Sequence, residues 1–249
     1  NPEVYKRLDE KLSFSKMKEK IENCIHKLYL PVPNEDGIIP QSDQFLSLKK
    51  LDLTKYKESK EVLTIYKDFN TEQLNQYMVS KQADTVMLLF LLDTLFDEEI
   101  KKKNFIFYED KTLHDSSLSK STHAILANDF GFQDMAYDLY ERALKIDLGP
   151  QMKSSDEGIH SASTGGIWES TVMGFGGVRM EGEHLRIAPK LPQKWNKLVF
   201  PLRFKGEPLK VEVEKDVALV ENRGKNQVSL LIGKEFVNIP AGHKVQRTL

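Results

Sequence analysis

Leu198-Val199-Phe200-Pro201-Leu202-Arg203-Phe204 places an apolar residue at every second position. Lys205-Gly206-Glu207 then turns the chain into Leu209, Val211 and Val213, which alternate back. A period of two around a glycine turn is the pattern of a half-buried β-hairpin. Residues 228–232, Gly233-Lys234 and residues 236–239 repeat it. The tail from about Gly182 therefore reads as a small antiparallel β domain, with a boundary near Gly176-Gly177.

On the N-terminal side of that boundary the apolar residues recur at helical spacing. In residues 15–30, Met17, Ile21, Cys24/Ile25 and Leu28 mark one face, and Asn1-Pro2 supplies an N-cap and first-turn pair for a short helix ahead of it. Pro31, Pro33, Asn34, Gly37 and Pro40 break the pattern and predict a long loop to Leu53, the kind of segment that often carries function. Residues 73–96 contain a strong helix. It carries Ala83, Val86, Met87, Phe90 and Leu91 on a stripe and is apolar almost all round from Val86 to Leu92, hence buried on both sides. Residues 119–129 and 133–146 read as a helix pair broken at Phe130-Gly131-Phe132, and residues 158–177 enclose one more short helix over 166–173. The fold class expected is mainly α with a β tail.

Composition narrows the function classes. The 249 residues carry 36 Lys+Arg against 37 Asp+Glu, a balance that argues against a protein that coats polyanions. With 40% apolar and 29% charged residues the chain suits a globular protein. Cys24 is the single cysteine, so an internal disulfide framework is excluded. The longest apolar run, Val86 to Leu92, is far short of the roughly 20 residues that span a bilayer. No signal peptide opens the chain, and the expected compartment is the cytoplasm. The first residue is Asn1 rather than Met, as expected of a piece of something longer.

Four stretches have high polar density. Ser80-Lys81-Gln82-Ala83-Asp84 enters the apolar helix, where a Lys and a Gln either find partners or, as a plain helix end, reach water. Tyr108-Glu109 through Leu113-His114-Asp115-Ser116-Ser117-Leu118-Ser119 crowds hydroxyls, an imidazole and carboxylates at a helix N-terminus, a place that favours anions. Capping by Ser117 or Ser119 would explain the serines alone. Glu157-Gly158-Ile159-His160-Ser161-Ala162-Ser163-Thr164-Gly165-Gly166 has the small residues of an anion cradle or of a tight helix contact, without the Gly-Lys-Ser/Thr of a P-loop. The fourth is the loop holding Gln41, Asp43 and Phe45. His26, His123, His184 and His243 lack ligand-like spacing, so no metal site is argued, and Lys101-Lys102-Lys103 reads as a solvated face.

Taken in order, Lys81-Gln82-Ala83-Asp84, Tyr108-Glu109 with Thr112 to Ser119, and Glu157 to Trp168 resemble three successive signatures of glycoside hydrolase family 65, the maltose, kojibiose, nigerose and trehalose phosphorylases. Gly174-Phe175-Gly176-Gly177-Val178-Arg179 and Pro189-x-Leu191-Pro192-x-x-Trp195 fit its closing segment, and the match runs from about Leu28 to Phe204. The resemblance implies the second half of an (α/α)6 barrel over residues 1–177 and a C-terminal β domain over 178–249. It implies that Lys81 and Gln82 bind the transferred glucose. His160, Thr164, Gly165 and Gly166 would lie at phosphate, with Ser116 and Ser117 beside them. Inorganic phosphate is the implied co-substrate, with no cofactor and no metal; an α-linked glucose disaccharide, the rest of the enzyme and a second copy in a homodimer are the implied partners.

One element of the family pattern is missing from these residues: the Gly-x-Asp-Glu-Tyr-His motif that holds the general-acid Glu. The chain as it stands is therefore expected to be catalytically incomplete. An inverting phosphorylase uses phosphate itself as the nucleophile, so it needs an anion cradle where a hydrolase needs a second carboxylate. Asp115, Glu157 and Glu169 keep the hydrolase alternative open, and a non-catalytic helical and β interaction module is the third reading.

Overall fold

The structure is a computed structural model that describes residues 1–28, 30–59, 63–148 and 158–249. Two compact units divide it, Asn1–Val32 and Pro33–Leu249. In the first, helix α1 (Pro2–Leu12) starts as the sequence predicts, with Asn1 Oδ1 accepting from Val4 N at 3.2 Å. Asp9 then binds Ser15 through both carboxylate oxygens, at 2.5 Å to its N–H and 2.7 Å to its hydroxyl, and so fixes the turn into α2 (Phe14–Ile25). The stripe of Met17, Ile21, Ile25 and Leu28 is exposed.

In the second unit the long loop is held down rather than free. Asn104 Oδ1 accepts from Ile39 N at 2.7 Å, its amide donates to Gly37 O at 2.8 Å, and Tyr108 OH donates to Ile39 O at 2.6 Å. The helix expected within residues 73–96 is α3 (Asp84–Leu91). Asn70 and Gln73 close a capping box on the single turn Thr71–Leu74, and Ser80 forms a β-bridge with Thr112, which claims the backbone that a longer helix would need. Val86, Leu89 and Phe90 are buried, but Leu91 and Leu92 are exposed, so the helix is covered on one side at its end.

The helix α4 (Glu98–Lys111) lies where the lysine run was read as a solvated face. Lys101 is buried, its Nζ 2.6 Å from Asp93 and 2.7 Å from Glu98, while Lys102 and Lys103 are exposed. Helices α5 (Ser119–Asp129) and α6 (Gln133–Leu144) form the expected pair. Helix α7 starts earlier than read, at Ser161, and runs to Glu169 before widening into a π-helical turn, Ser170–Phe175. Ile125, Leu126, Phe105, Leu89 and Phe175 pack at the centre of this helical core.

Eight strands follow: β1 (Val178–Glu181), β2 (His184–Ile187), β3 (Leu198–Phe204), β4 (Glu207–Glu214), β5 (Val217–Asn222), β6 (Val228–Ile232), β7 (Glu235–Ile239) and β8 (Lys244–Thr248). Both hairpins read from the sequence form, with Leu202 opposite Leu209, Phe200 opposite Val211 and Leu230 opposite Val237. The strands make two four-stranded sheets, β1-β2-β6-β7 and β3-β4-β5-β8. The reading of the tail as wholly antiparallel needs one correction, because β2 and β6 pair in parallel, Arg186 beside Leu231. A hairpin pattern fixes neighbours in sequence and leaves such a distant pairing open. Gly177 leads into β1 at φ 64°, and a Cβ there would stand 2.0 Å from Ala188 O, so only glycine fits.

Candidate functional site

Helices α3, α5 and α7 run side by side in the same direction. Thr122 of α5 faces Met87 of α3, while Ser170 Oγ donates to Ser121 O at 3.0 Å and Asn128 Nδ2 donates to Gly174 O at 3.3 Å. Contacts advance together along the chains, from Gly166 and Ser170 at Ser121 to Gly174 at Asn128, and from Gln82 at Ser116 to Met87 at Thr122. The N-terminal ends therefore point to one side of the core, with α7 reaching past α5. Neither α5 nor α7 has a side-chain N-cap. The positive ends of their dipoles thus point to the same side, although in α7 the Ser161 N–H is taken by Ile159 O at 2.9 Å.

The sequence-predicted residues stand at these ends. Gln82 precedes α3 and Ser116 precedes α5; Ser116 Oγ donates to Gln82 Oε1 at 3.1 Å and accepts from Leu118 N at 3.2 Å. Ser80 Oγ donates to Gln41 Oε1 at 2.7 Å, and Gln41 Nε2 donates to Asp84 at 3.1 Å, which joins the fourth stretch to the first. Lys81 is exposed, and Ser117 is half-buried. The capping reading of the serines is not realised, since Leu118 occupies the N-cap position and Ser119 turns to His114.

His160 occupies the N-cap position of α7. Its Nδ1 lies 2.7 Å from Asp147 Oδ1, and its own N–H donates to Asp147 Oδ2 at 3.1 Å. An ionised Asp147 fixes the proton on Nδ1 and leaves Nε2 as the free ring nitrogen. Thr164 is exposed, with Oγ1 3.4 Å from His160 O. The two glycines differ. A Cβ on Gly165 meets nothing within 4 Å, whereas one on Gly166 would stand 2.7 Å from Ser121 Oγ, so Gly166 serves the close contact of α7 with α5. Among the described residues no hydrogen bond joins His160 to Ser116 or Ser117.

Behind this mouth lies a buried hydrogen-bonded cluster of which sequence reading singled out Glu109 and His114 and missed His123 and Lys57. His114 takes φ 58°, a left-handed conformation, and is 4% exposed. Its Nδ1 is 3.1 Å from Ser119 Oγ and its Nε2 is 3.1 Å from Glu109. His123 Nδ1 also binds Glu109, and Lys57 Nζ lies 3.8 Å from Oε1. Burial alone would raise the Glu109 carboxyl, but the bonds from His114 and His123 hold it well below the usual range. Burial pushes His114 down to about 3, so its ring is neutral. Nε2–H then donates to Glu109, and Nδ1 accepts from Ser119. Ligand atoms of Glu109, His114 and His123 lie within 4.8 Å of one another. Hydrogen bonds engage Glu109, both His114 nitrogens and His123 Nδ1, Lys57 adds a cation beside Glu109, and His123 Nε2 has no hydrogen-bond partner.

Of the carboxylates held open for base chemistry, burial raises Asp115 against the pull of Lys81 and Lys120, and its Oδ1 has no hydrogen-bond partner. Burial also raises Glu169, opposed by Arg179. Glu157 lies outside the described residues.

Paired helices with a shared polar mouth, followed by two small sheets, define a segment of an α/α-helical fold with an appended β module. The chain belongs to glycosyl hydrolase family 65: residues 3–169 match the model of its central catalytic domain, and residues 178–237 match that of its C-terminal domain. It is 45% identical over 190 residues to the kojibiose phosphorylase of Halothermothrix orenii, a match covering 76% of this chain and 24% of that protein. It is 35% identical over 217 residues to the α,α-trehalose phosphorylase of Thermoanaerobacter brockii, covering 86% and 28%. A solved structure of a human-microbiome protein assigned as a kojibiose phosphorylase superposes with a TM-score of 0.85 at 27% identity, covering 98% of this chain and 33% of the other. The chain thus spans about a quarter to a third of the length of these relatives. No helix of the described residues is long and apolar enough to cross a membrane.

Proposed function

We propose that this chain supplies the phosphate side of an inverting α-glucobiose phosphorylase, which converts an α-linked glucose disaccharide and inorganic phosphate to β-glucose 1-phosphate and glucose. The observation that carries this reading is the parallel packing of α5 and α7. Two uncapped helix N-termini at one end of the core, with Ser116 and Ser117 before one and His160, Thr164 and Gly165 at the other, suit a dianion. Backbone N–H groups, hydroxyls and His160 Nε2 would share the phosphate oxygens and aim one of them at the anomeric carbon. Lys81, which is exposed, and Gln82, which Ser116 bonds, would hold hydroxyls of the transferred glucose. The general-acid Glu would come from outside this chain. In this reading residues 1–177 are barrel and 178–249 the C-terminal β domain, no cofactor takes part, and the enzyme is a homodimer. Relatives named for kojibiose, trehalose and maltose support the substrate class.

Phosphate-dependent glucose release by the complete polypeptide carrying this chain, assayed on maltose, kojibiose, nigerose and trehalose, tests the reading and names the linkage. His160→Ala should raise the KM for phosphate about tenfold or more while the protein stays folded, by loss of a strong polar contact to the anion. The unpartnered Oδ1 of Asp115 favours a second reading, hydrolysis with Asp115 as base. Equal turnover without phosphate, abolished by Asp115→Asn, would select it.

A further inference from the structure

Lys120, in the first turn of α5, is 5% exposed, and among the described residues no carboxylate lies within 4.0 Å of its Nζ. Among the described residues one of its three donors is used, on Ser116 O at 3.0 Å. That bond directs the ammonium back toward the N-terminal end of the helix, next to the Ser116–Gln82 pair. A buried cation is costly without a counter-charge, and the positive end of a helix raises the cost. The charged groups facing it offer little relief. Arg142 of α6 has the same sign, and the Asp115 carboxylate in the preceding loop, which offsets it in part, stands beyond ion-pair distance. Lys81 faces Asp115 in turn, and at the head of α7 His160 is already paired with Asp147. Among the described residues, then, no carboxylate meets the Lys120 ammonium directly.

We propose that Lys120 is a further phosphate-binding residue, its ammonium meeting the anion at the mouth shared by α5 and α7. The proposal rests on the phosphorolysis reading. In the reverse direction the same ammonium would hold the phosphoryl group of glucose 1-phosphate. Lysine here acts as a point charge that needs no bidentate geometry. Burial, with Arg142 adding to it and Asp115 opposing, brings the Lys120 pKa down to about 8. The contact should then fade as pH rises from 7 to 9.

The test compares wild type, Lys120→Met and Lys120→Arg in the complete polypeptide, with inorganic phosphate as the varied substrate. Lys120→Met should raise the phosphate KM about tenfold or more at pH 7 and leave the disaccharide KM within about twofold. Wild type should lose phosphate affinity between pH 7 and 9 beyond any change in Lys120→Arg, whose guanidinium stays charged; the titration of phosphate itself is common to both. An unchanged phosphate KM in Lys120→Met, with His160→Ala still raising it, would overturn the proposal and leave the phosphorolysis reading standing. A wild type indifferent to phosphate would overturn both. Should Lys120→Met not fold, judged by circular dichroism, the profiles of wild type and Lys120→Arg decide: parallel curves overturn the proposal, diverging ones support it.

Discussion

The neutral, buried His114 makes stability depend on pH between the ordinary imidazole range and acid. Its pKa falls from the ordinary 6.5 to about 3 in the folded protein, chiefly through burial. Between those values the unfolded chain binds a proton that the folded protein refuses. Stability from this group is therefore full above pH 6.5 and drains as pH falls toward 3. The slope approaches about 1.4 kcal/mol per pH unit. From pH 6 to 4.5 the loss integrates to about 2 kcal/mol, a shift of about 1 M in a urea midpoint for a slope near 2 kcal/mol/M. Glu109, depressed below the usual range, contributes stability that is lost only further into acid. His114→Asn isolates the effect, because Asn tolerates the left-handed backbone at φ 58° but carries no titrating ring. The variant starts less stable by about 1–3 kcal/mol, having left Glu109 with one partner fewer. The informative quantity is the slope, not the offset. Urea unfolding at half-unit steps from pH 6 to 4.5 should show wild type losing stability more steeply than the variant. Two parallel lines would refute the argument that burial keeps this imidazole neutral.

Asp147→Asn should raise the phosphate KM by about tenfold with a smaller change in the disaccharide KM, since the amide no longer fixes the His160 proton on Nδ1. Steady-state kinetics check it. Gly166→Ala should destabilise by about 1–3 kcal/mol through overpacking against Ser121, and Ser121→Gly in the same chain should recover part of that. By contrast Gly165→Ala, with open space at its Cβ, should leave the thermal midpoint unchanged or raise it slightly. Asp129→Ala should cost about 3–5 kcal/mol in chemical unfolding, because it strands Arg179, which is 4% exposed and bonds Asp129 at 2.7 Å.

Local pattern carried much of the fold. The α5–α6 pair and both hairpins follow from spacing that any neighbouring structure would respect, and each is closed by a turn visible in the sequence. Elements decided by distant partners were less legible. Ser80 pairs with Thr112, so the helix within residues 73–96 begins only at Asp84, a boundary its periodicity does not mark. Lys101 is buried because Asp93 and Glu98 meet it, which a run of lysines does not announce. The same holds at the candidate site. Motif residues such as Gln82, Ser116 and His160 stand out by composition, while Asp147 and Lys120 matter through contacts made in space. His123 was set aside for want of ligand spacing, yet it meets Glu109 from a different helix; a Glu and a His on facing helices leave no periodic trace.

The parallel pairing of β2 with β6 bears on the order of synthesis. Leu185 finds its partner only when Leu230 has been made, and Val220 of β5 waits for Val245 of β8. Until then a nascent chain holds two half-built sheets with open edges, and such long-range pairings form slowly. During that interval the helical part is already complete in sequence, whereas Ile187 and Val220, fully buried at the end, have yet to be covered. A ribosome stalled before β6 would therefore present sticky strand edges beside finished helices, an intermediate suited to capture by a chaperone that recognises extended apolar segments.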